Sequence, residues 1–130
     1  MTCLRKKKLL VAEDDASMRR FLEVLLQQAG FDVISAEDGL AALQLAAGGG
    51  IDAVIADAVM PNMSGYDLCR ILKADANFSN TSFIILSGLP NGHNENIADL
   101  YLLKEENLKE KLLAELARLF AVQPTAVEEI

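Results

Sequence analysis

The sequence predicts an α/β fold in which helices cover both faces of a doubly wound parallel sheet. Short apolar runs alternate with helical patterns along the chain, and the runs are apolar throughout. Such runs are typical of strands buried between two layers of helices, which right-handed crossovers place on both faces. The chain of 130 residues has the size of one domain, and its 52% hydrophobic and 24% charged residues are typical of a soluble globular protein.

Five short apolar runs predict the strands of this sheet. They cover residues 9–12, 31–36, 52–56, 81–87 and 100–103. The second run carries Asp32, which places it nearer an edge of the sheet. The third continues into the stretch "AVIADAVMP", where Asp57 stands close to a buried run. Because an isolated buried carboxylate is costly, Asp57 needs a cation or hydrogen-bond donors nearby.

Four helical patterns accompany these runs. Gly30 ends the first helix, Ser64 and Asp67 resemble a capping box at the start of the third, and the last begins near Asn107. The predicted apolar faces are Met18, Phe21, Leu22, Leu25, Leu26 and Ala29 in the first helix; Leu40, Leu43 and Ala47 in the second; Leu68, Ile71 and Leu72 in the third; and Leu108, Leu112, Leu116 and Leu119 in the last.

Charge and cysteine content argue against several classes of protein. Twelve Lys and Arg against nineteen Asp and Glu give a net charge of −7, which argues against a general nucleic-acid-binding surface. No apolar run is long enough to span a bilayer, and the run at 9–12 is too short for a signal peptide. We therefore expect a cytoplasmic protein without a membrane segment. Cys3 and Cys69 form neither a metal-binding nor a redox spacing.

Side chains that can bind a ligand or take part in a reaction follow four of the five predicted strands. Glu13 and Asp14 follow the first strand, Asp57 the third, Ser87 the fourth and Lys104 the fifth. Ligands of such sheets bind beyond the carboxyl ends of the strands, so these side chains are predicted to meet at one edge. Three carboxylates repel one another unless a cation joins them, and hard oxygen ligands with room for water suit Mg²⁺.

This grouping favours phosphoryl chemistry at Asp57. An aspartate can act as a nucleophile and form an acyl phosphate, and phosphoryl transfer requires mainly positioning and neutralisation of charge. Mg²⁺, the ammonium of Lys104 and the hydroxyl of Ser87 would neutralise that charge, and Gly88 leaves space for the phosphoryl group. Taken singly, each residue has a simpler explanation, since acids are favoured at helix starts and serine and lysine are common in turns and on surfaces.

Four segments together resemble a response-regulator receiver domain of two-component signalling. They are "LLVAEDDASMRRFLEVLLQQAGFDV", "DAVIADAVMPNMSGYDLCRILK", "IILSG" and "YLLK". The resemblance runs from about Lys8 to Phe120. It implies a five-stranded parallel sheet in the order 2-1-3-4-5, a receiver domain over residues 1–121, and a flexible tail or the start of a linker over residues 122–130.

The resemblance also implies a magnesium site. Asp14 is similar to the family's direct metal ligand, and Glu13 to the neighbour that often acts through water. Asp57 and the backbone carbonyl of Val59 would complete the set. Mg²⁺ is therefore the cofactor that the resemblance implies.

The resemblance assigns the phosphoryl chemistry to three side chains and the switching to two. Asp57 is similar to the phosphorylated aspartate and Lys104 to the family's lysine. Ser87 is similar to the hydroxyl that turns toward the phosphoryl group, and Tyr101 to the aromatic that changes rotamer with it. Such a domain is a signalling receiver and not an enzyme, because it promotes only its own phosphorylation and dephosphorylation.

The implied partners are proteins. A sensor histidine kinase or a phosphotransfer protein would donate the phosphoryl group. The output would be a partner protein or a fused output domain, without direct binding of nucleic acid by the receiver itself. The kinase and the pathway are not readable from this sequence.

Two departures from the family pattern affect these expectations. Glu105 follows Lys104 where the family usually has proline, often after a cis bond, and a cis bond before another residue costs several kcal/mol. From Ser87 to Lys104 the chain is shorter than the family's, and it is rich in turn residues. We therefore predict that the fourth helix, which would join strands four and five, is shortened or missing. His93 lies in this connection and is predicted to be a loop residue.

Two alternative functions stay open at this point. The first is a pseudo-receiver, a protein-binding module that acts without phosphorylation. The second, from another class, is a small phosphatase of the haloacid-dehalogenase type. Such enzymes have a second aspartate two residues after the nucleophile, where this chain has Val59, a residue that cannot act as acid or base.

Overall fold

The computed structural model describes residues 6–89 and 97–120 and contains one five-stranded parallel sheet. Its strands are β1 (Lys8–Ala12), β2 (Asp32–Ala36), β3 (Ala53–Asp57), β4 (Ser82–Ser87) and β5 (Leu100–Leu103). Their order is β2-β1-β3-β4-β5, and every neighbouring pair is parallel. The predicted fold class is confirmed, and β2 lies at an edge as Asp32 indicated.

Helices cover both faces of the sheet. They are α1 (Ala16–Gln28), α2 (Gly39–Ala46), α3 (Gly65–Lys73) and α4 (Leu108–Leu119), with a short 3-10 helix at Ala76–Phe78. On one face, α1 and α4 bury leucines against the sheet, and on the other, α2 and α3 bury smaller and mixed apolar side chains. This is the doubly wound arrangement that the sequence predicted.

The predicted loss of the crossover helix between β4 and β5 is confirmed for the residues that the structure describes. The connection spans residues 88–99, and its described parts, 88–89 and 97–99, contain no helix. The remainder of the connection, with His93, lies outside the described residues, and so do Cys3 and the tail 122–130. The predictions for these residues stay predictions.

Each predicted apolar face has an exposed member. Phe21 in α1 and Leu119 in α4 are exposed, and α2 and α3 also differ in which residues are buried. In α2, Leu40 is exposed and the buried residues are Gly39, Ala42 and Ala46. The reason is close packing, because a Cβ on Gly39 would lie 2.4 Å from the backbone oxygen of Met63. Small residues therefore face inward, and the larger leucine faces solvent.

In α3, Ile71 of the predicted apolar face is exposed, and Cys69 is buried in its place. The helix is anchored at its first residue, and the buried series is Gly65, Leu68, Cys69 and Leu72, which follows the i, i+3, i+4, i+7 spacing of one helical face. Burial raises the pKa of the Cys69 thiol to about 12, so this cysteine is a packing residue with little thiolate character. Within the described ranges, no helix is long and apolar enough to cross a membrane.

Candidate functional site

The register of β1 and β3 brings three carboxylates together at the carboxyl edge of the sheet. Ala12 lies opposite Ala56, so Glu13 and Asp57 leave their strands at the same level. One oxygen from each of Glu13, Asp14 and Asp57 lies within 4.8 Å of the others. Glu13 is only 1% exposed and Asp57 8%, whereas Asp14 is exposed. The predicted grouping of acids is therefore present.

The third acid of the "EDD" run has a different role. Asp15 is the N-cap of α1, and its carboxylate accepts a hydrogen bond from the backbone N–H of Met18 at 2.9 Å. The backbone N–H of Asp15 donates to Oε2 of Glu13 at 3.2 Å. Capping by Asp15 begins the helix directly after the acidic pair, which keeps the turn short.

Lys104 joins the two buried carboxylates. Its Nζ lies 2.9 Å from Oε1 of Glu13 and 3.1 Å from Oδ1 of Asp57. No peptide bond of the described residues is cis, and Lys104 makes both contacts although Glu105 follows it in place of proline. The backbone N–H of Lys104 donates to the carbonyl of Ser87 at 2.8 Å, which extends the pairing of β4 and β5 to the lysine itself.

The electrostatics of the site follow from burial. Burial raises the pKa of Glu13 above its ordinary value, and the neighbouring charge of Asp57 adds to this, while Lys104 and the N–H of Asp15 act in the opposite direction. For Lys104, burial would lower the pKa, but hydrogen bonds to Glu13 and Asp57 outweigh it and raise the pKa. The ammonium of Lys104 therefore neutralises part of the negative charge of Glu13 and Asp57.

The donor set fits a magnesium ion. Oε1 of Glu13 is buried, and the ammonium of Lys104 contacts it at 2.9 Å. Two buried carboxylates, Glu13 and Asp57, beside the exposed carboxylate of Asp14, which leaves room for water, suit a hard cation that keeps part of its hydration. Glu13, Asp14 and Asp57 are therefore able to hold Mg²⁺.

Close packing of helix α3 against Asp57 explains why position 65 is a glycine. A Cβ at this position would lie 2.3 Å from the backbone oxygen of Asp57 and 3.0 Å from its carbonyl carbon. The N–H of Gly65 donates to the carbonyl of Ala58 at 3.1 Å, and the Ser64 hydroxyl accepts from the N–H of Asp67 at 3.0 Å. The serine half of the predicted capping box is present, and the Asp67 carboxylate accepts from Arg70. Glycine is required at position 65 because α3 begins against the backbone of the phosphoacceptor candidate.

Val59 lies at the mouth of the site. It follows Asp57 by two residues, and its side chain is 77% exposed. The loop then turns through Asn62, whose φ is 69° and whose side-chain nitrogen donates to Asp38 at 2.9 Å. The assignment of the Val59 carbonyl as a metal ligand stays a prediction.

Ser87 lies at the same edge, with its hydroxyl turned into the following loop. Asp57 is in register with Leu86, so Ser87 is the next residue along β4. Its Oγ donates to the carbonyl of Leu89 and accepts from the N–H of Leu89, both at 3.1 Å. A Cβ at Gly88 would meet no atom within 4 Å, so the space beside Ser87 is open.

Tyr101 has a contact that the sequence did not indicate. Its phenolic oxygen accepts hydrogen bonds from the backbone N–H groups of Ile97 and Ala98, at 2.7 and 2.9 Å. On the neighbouring side, Nζ of Lys73 donates to the carbonyl of Ile97 at 2.9 Å and lies 3.7 Å from Oδ1 of Asp99. Tyr101 and Lys73 together fix the end of the β4–β5 connection.

Arg19 is a residue of the site that the sequence did not indicate. Its Nη1 donates to the backbone carbonyl of Glu13 at 2.8 Å. The only sequence signal for this contact is its place one turn into the helix that follows the acidic pair, and many surface arginines share such a place. A contact to a backbone carbonyl leaves no pattern in the side-chain sequence.

This chain has a doubly wound sheet with three carboxylates and a lysine at its carboxyl edge. That is the arrangement which the resemblance to receiver domains implies. The family model described as "Response regulator receiver domain" matches residues 9–113. The chain therefore belongs to the response-regulator receiver domain family.

The curated relatives are longer than this chain. It is 37% identical over 112 residues to the probable transcriptional regulator ycf27 of Porphyridium aerugineum, a match that covers 82% of this chain and 45% of the relative. It is 34% identical over 122 residues to the DNA-binding response regulator MtrA of Mycobacterium tuberculosis, covering 88% and 51%. The chain thus spans about half the length of these relatives.

Solved receiver structures have the same fold. The chemotaxis protein CheY4 of Vibrio cholerae matches with a TM-score of 0.81 and 28% identity, over 88% of this chain and 99% of that one. The response regulator TrrA of Thermotoga maritima, solved in complex with Mg²⁺ and BeF, matches with a TM-score of 0.79 and 28% identity, over 87% and 98%.

Proposed function

We propose that this chain is a phosphoacceptor receiver, which takes a phosphoryl group onto Asp57 from a histidine kinase or a phosphotransfer protein and signals by conformational change. One observation carries the proposal. Asp57 lies at the carboxyl edge of the sheet with Lys104 Nζ at 3.1 Å and with Glu13 and Asp14 within reach of a shared cation. A carboxylate so placed combines a nucleophile with an ammonium beside it and with acids that can hold a cation, which is what phosphoryl transfer requires.

The proposed reaction follows from these contacts. An Oδ of Asp57 attacks the phosphorus of a phosphohistidine, so the O–P bond of an acyl phosphate forms as the N–P bond breaks and the imidazole nitrogen keeps the electron pair. Bound Mg²⁺, held by Glu13, Asp14, Asp57 and the carbonyl of Val59, would neutralise charge on the phosphoryl oxygens. Lys104 would then exchange its contact with Asp57 for one with a phosphoryl oxygen.

Switching would involve the other side of the site. The hydroxyl of Ser87 would leave Leu89 and donate to the phosphoryl group, since both of its present contacts are to one exposed residue of the following loop. Movement of Ser87 would change the environment of Tyr101, and with it the β4–β5 connection. The signal would pass to a partner protein or to a fused output domain in the cytoplasm.

Nucleic acid is not proposed as a ligand of this domain. MtrA is by its name a DNA-binding response regulator, but the match covers about half of that protein. The net charge of −7 disfavours a phosphate-binding surface on the receiver. Binding of DNA by a longer regulator would then belong to another part of the protein.

The test is intact mass spectrometry after incubation with Mg²⁺ and acetyl phosphate. Wild-type protein is expected to gain one phosphoryl group, and Asp57→Asn is expected to gain none. Asp32→Asn, which changes an exposed carboxylate on the edge strand β2, is the matched control and is expected to be labelled like wild type. A wild type that folds but gains no phosphoryl group would contradict the proposal and favour a pseudo-receiver.

A further inference from the structure

Arg19 connects helix α1 to the backbone that carries two of the acids. Its Nη1 donates a hydrogen bond to the carbonyl of Glu13 at 2.8 Å. Its own N–H donates to the carbonyl of Asp15 at 2.9 Å, so the arginine is anchored in the first turns of the helix. A charged donor on a partly buried carbonyl is among the stronger hydrogen bonds in proteins.

The carbonyl that Arg19 holds belongs to the peptide unit between Glu13 and Asp14. Because a peptide unit is planar, a fixed oxygen also fixes the nitrogen of Asp14 and limits the directions that its side chain can take. Glu13 has further restraints, since its N–H donates to the carbonyl of Ala36 at 3.1 Å and its Oε2 accepts from the N–H of Asp15. The Asp14 carboxylate is exposed, so its direction depends on the backbone that Arg19 holds.

The neighbouring Arg20 shows that this contact is not a general property of the helix. Arg20 has the same charge and the next position, but its side chain is 73% exposed and its Nη1 lies 3.3 Å from Glu23 on the surface of α1. The two arginines therefore differ in what they touch and not in the charge that they bring to the domain.

We propose that Arg19 is a positioning residue for the divalent cation, because it holds the Glu13–Asp14 peptide so that both carboxylates face Asp57. This inference rests on the proposed function, since it concerns the same magnesium site. Residues that orient metal ligands typically change metal affinity by about 10- to 100-fold when they are replaced.

The experiment compares matched variants by isothermal titration with MgCl₂ alone. Arg19→Gln is expected to raise the Kd for Mg²⁺ about 10-fold, and Arg20→Gln, which removes the same charge from the surface, is expected to stay within about twofold of wild type because it touches no ligand. In the metal-free protein, NMR amide signals of Glu13 and Asp14 are expected to shift in the Arg19 variant beyond the change seen in the Arg20 variant.

Each outcome decides the inference. Equal Mg²⁺ affinities for the two glutamine variants would overturn it and leave the proposed function standing, provided that wild type binds Mg²⁺ and is phosphorylated. A wild type that binds no Mg²⁺ would overturn both. If Arg19→Gln does not fold, the comparison is made between Arg19→Lys and Arg20→Lys, and the former is expected to bind Mg²⁺ more weakly because an ammonium lacks the reach and planar geometry of a guanidinium.

Discussion

The candidate site has two halves that are supported in different ways. The strand-held half consists of Glu13, Asp14 and Asp57, which leave the adjacent central strands β1 and β3. The crossover-held half consists of Ser87 and Lys104, which leave β4 and β5, together with Tyr101. The first half agrees with the family pattern in sequence, whereas the second keeps the predicted side chains but has Glu105 in place of proline and no helix in the described parts of its crossover, residues 88–89 and 97–99.

The two halves bring their side chains to the same edge of the sheet by different backbone contacts. In the strand-held half, position follows from the register of two buried strands, which backbone hydrogen bonds fix along their whole length. In the crossover-held half, β5 has only four residues, and Tyr101 and Lys73 hold the end of the connection before it at Ile97. Lys104 reaches Glu13 and Asp57 because its own N–H continues the β4–β5 pairing.

The largest expected effect comes from breaking the strand-held half at Gly65. Gly65→Ala places a Cβ 2.3 Å from the backbone oxygen of Asp57, and overpacking of this kind costs about 3 kcal/mol, against about 1 kcal/mol that alanine gains in a helix. We expect the free energy of unfolding to fall by about 2 kcal/mol in urea denaturation. Gly88→Ala is the control, since its Cβ meets nothing, and an equal loss in both variants would contradict the explanation.

A smaller effect is expected in the crossover-held half from Tyr101→Phe. Removal of the phenolic oxygen leaves the N–H groups of Ile97 and Ala98 without this acceptor. We expect a loss of about 1 kcal/mol in the free energy of unfolding and faster hydrogen exchange at these two amides. Unchanged exchange at both amides would show that the tyrosine does not hold the connection.

The pH dependence of stability tests how burial affects Glu13 in the strand-held half. Burial raises the pKa of Glu13 above its ordinary value of 4.5, so the folded state binds this proton more tightly than the unfolded state does. Metal-free wild type therefore loses stability as the pH rises from 4.5 through the raised pKa, and below 4.5 this contribution is fully present.

Glu13→Gln cannot lose that proton, so its stability relative to wild type is expected to increase over the same pH range. The measurement is urea denaturation in EDTA at a series of pH values. Glu37→Gln, which removes the charge of an exposed acid, is the matched control. A relative stability of Glu13→Gln that falls as the pH rises would reverse the assigned cause.

The lifetime of the acyl phosphate depends on Val59, which lies between the two halves of the site. The exposed side chain of Val59 offers no polar group to orient a hydrolytic water, and this residue cannot act as acid or base. We expect the phosphorylated form to persist well beyond minutes after the phosphodonor is removed, as followed by intact mass. Loss of the phosphoryl group within minutes would contradict this expectation.

Much of the fold could be predicted because its signals are local. The limits of β5, the cap at Ser64 and the end of α1 near Gly30 each depend on a few neighbouring residues, and the structure agrees with the sequence at all three. The apolar faces of the helices were predicted less well, since Phe21, Leu40, Ile71 and Leu119 are exposed. Leu40 and Ile71 face solvent because glycine contacts at the helix starts, and not hydrophobicity alone, set how α2 and α3 lie on their neighbours.

The sequence by itself determined the type and order of the elements and the residues that end each strand, because periodicity and turn chemistry act over a few residues. Only the tertiary structure decided that Lys104 contacts both buried acids without a cis bond, that Tyr101 holds the end of the β4–β5 connection at Ile97, and that Arg19 holds the Glu13 carbonyl. These contacts join segments that are distant in the chain or bind to backbone atoms, and backbone atoms are the same for nearly every residue type. Their partners are therefore chosen by the packing of the whole sheet.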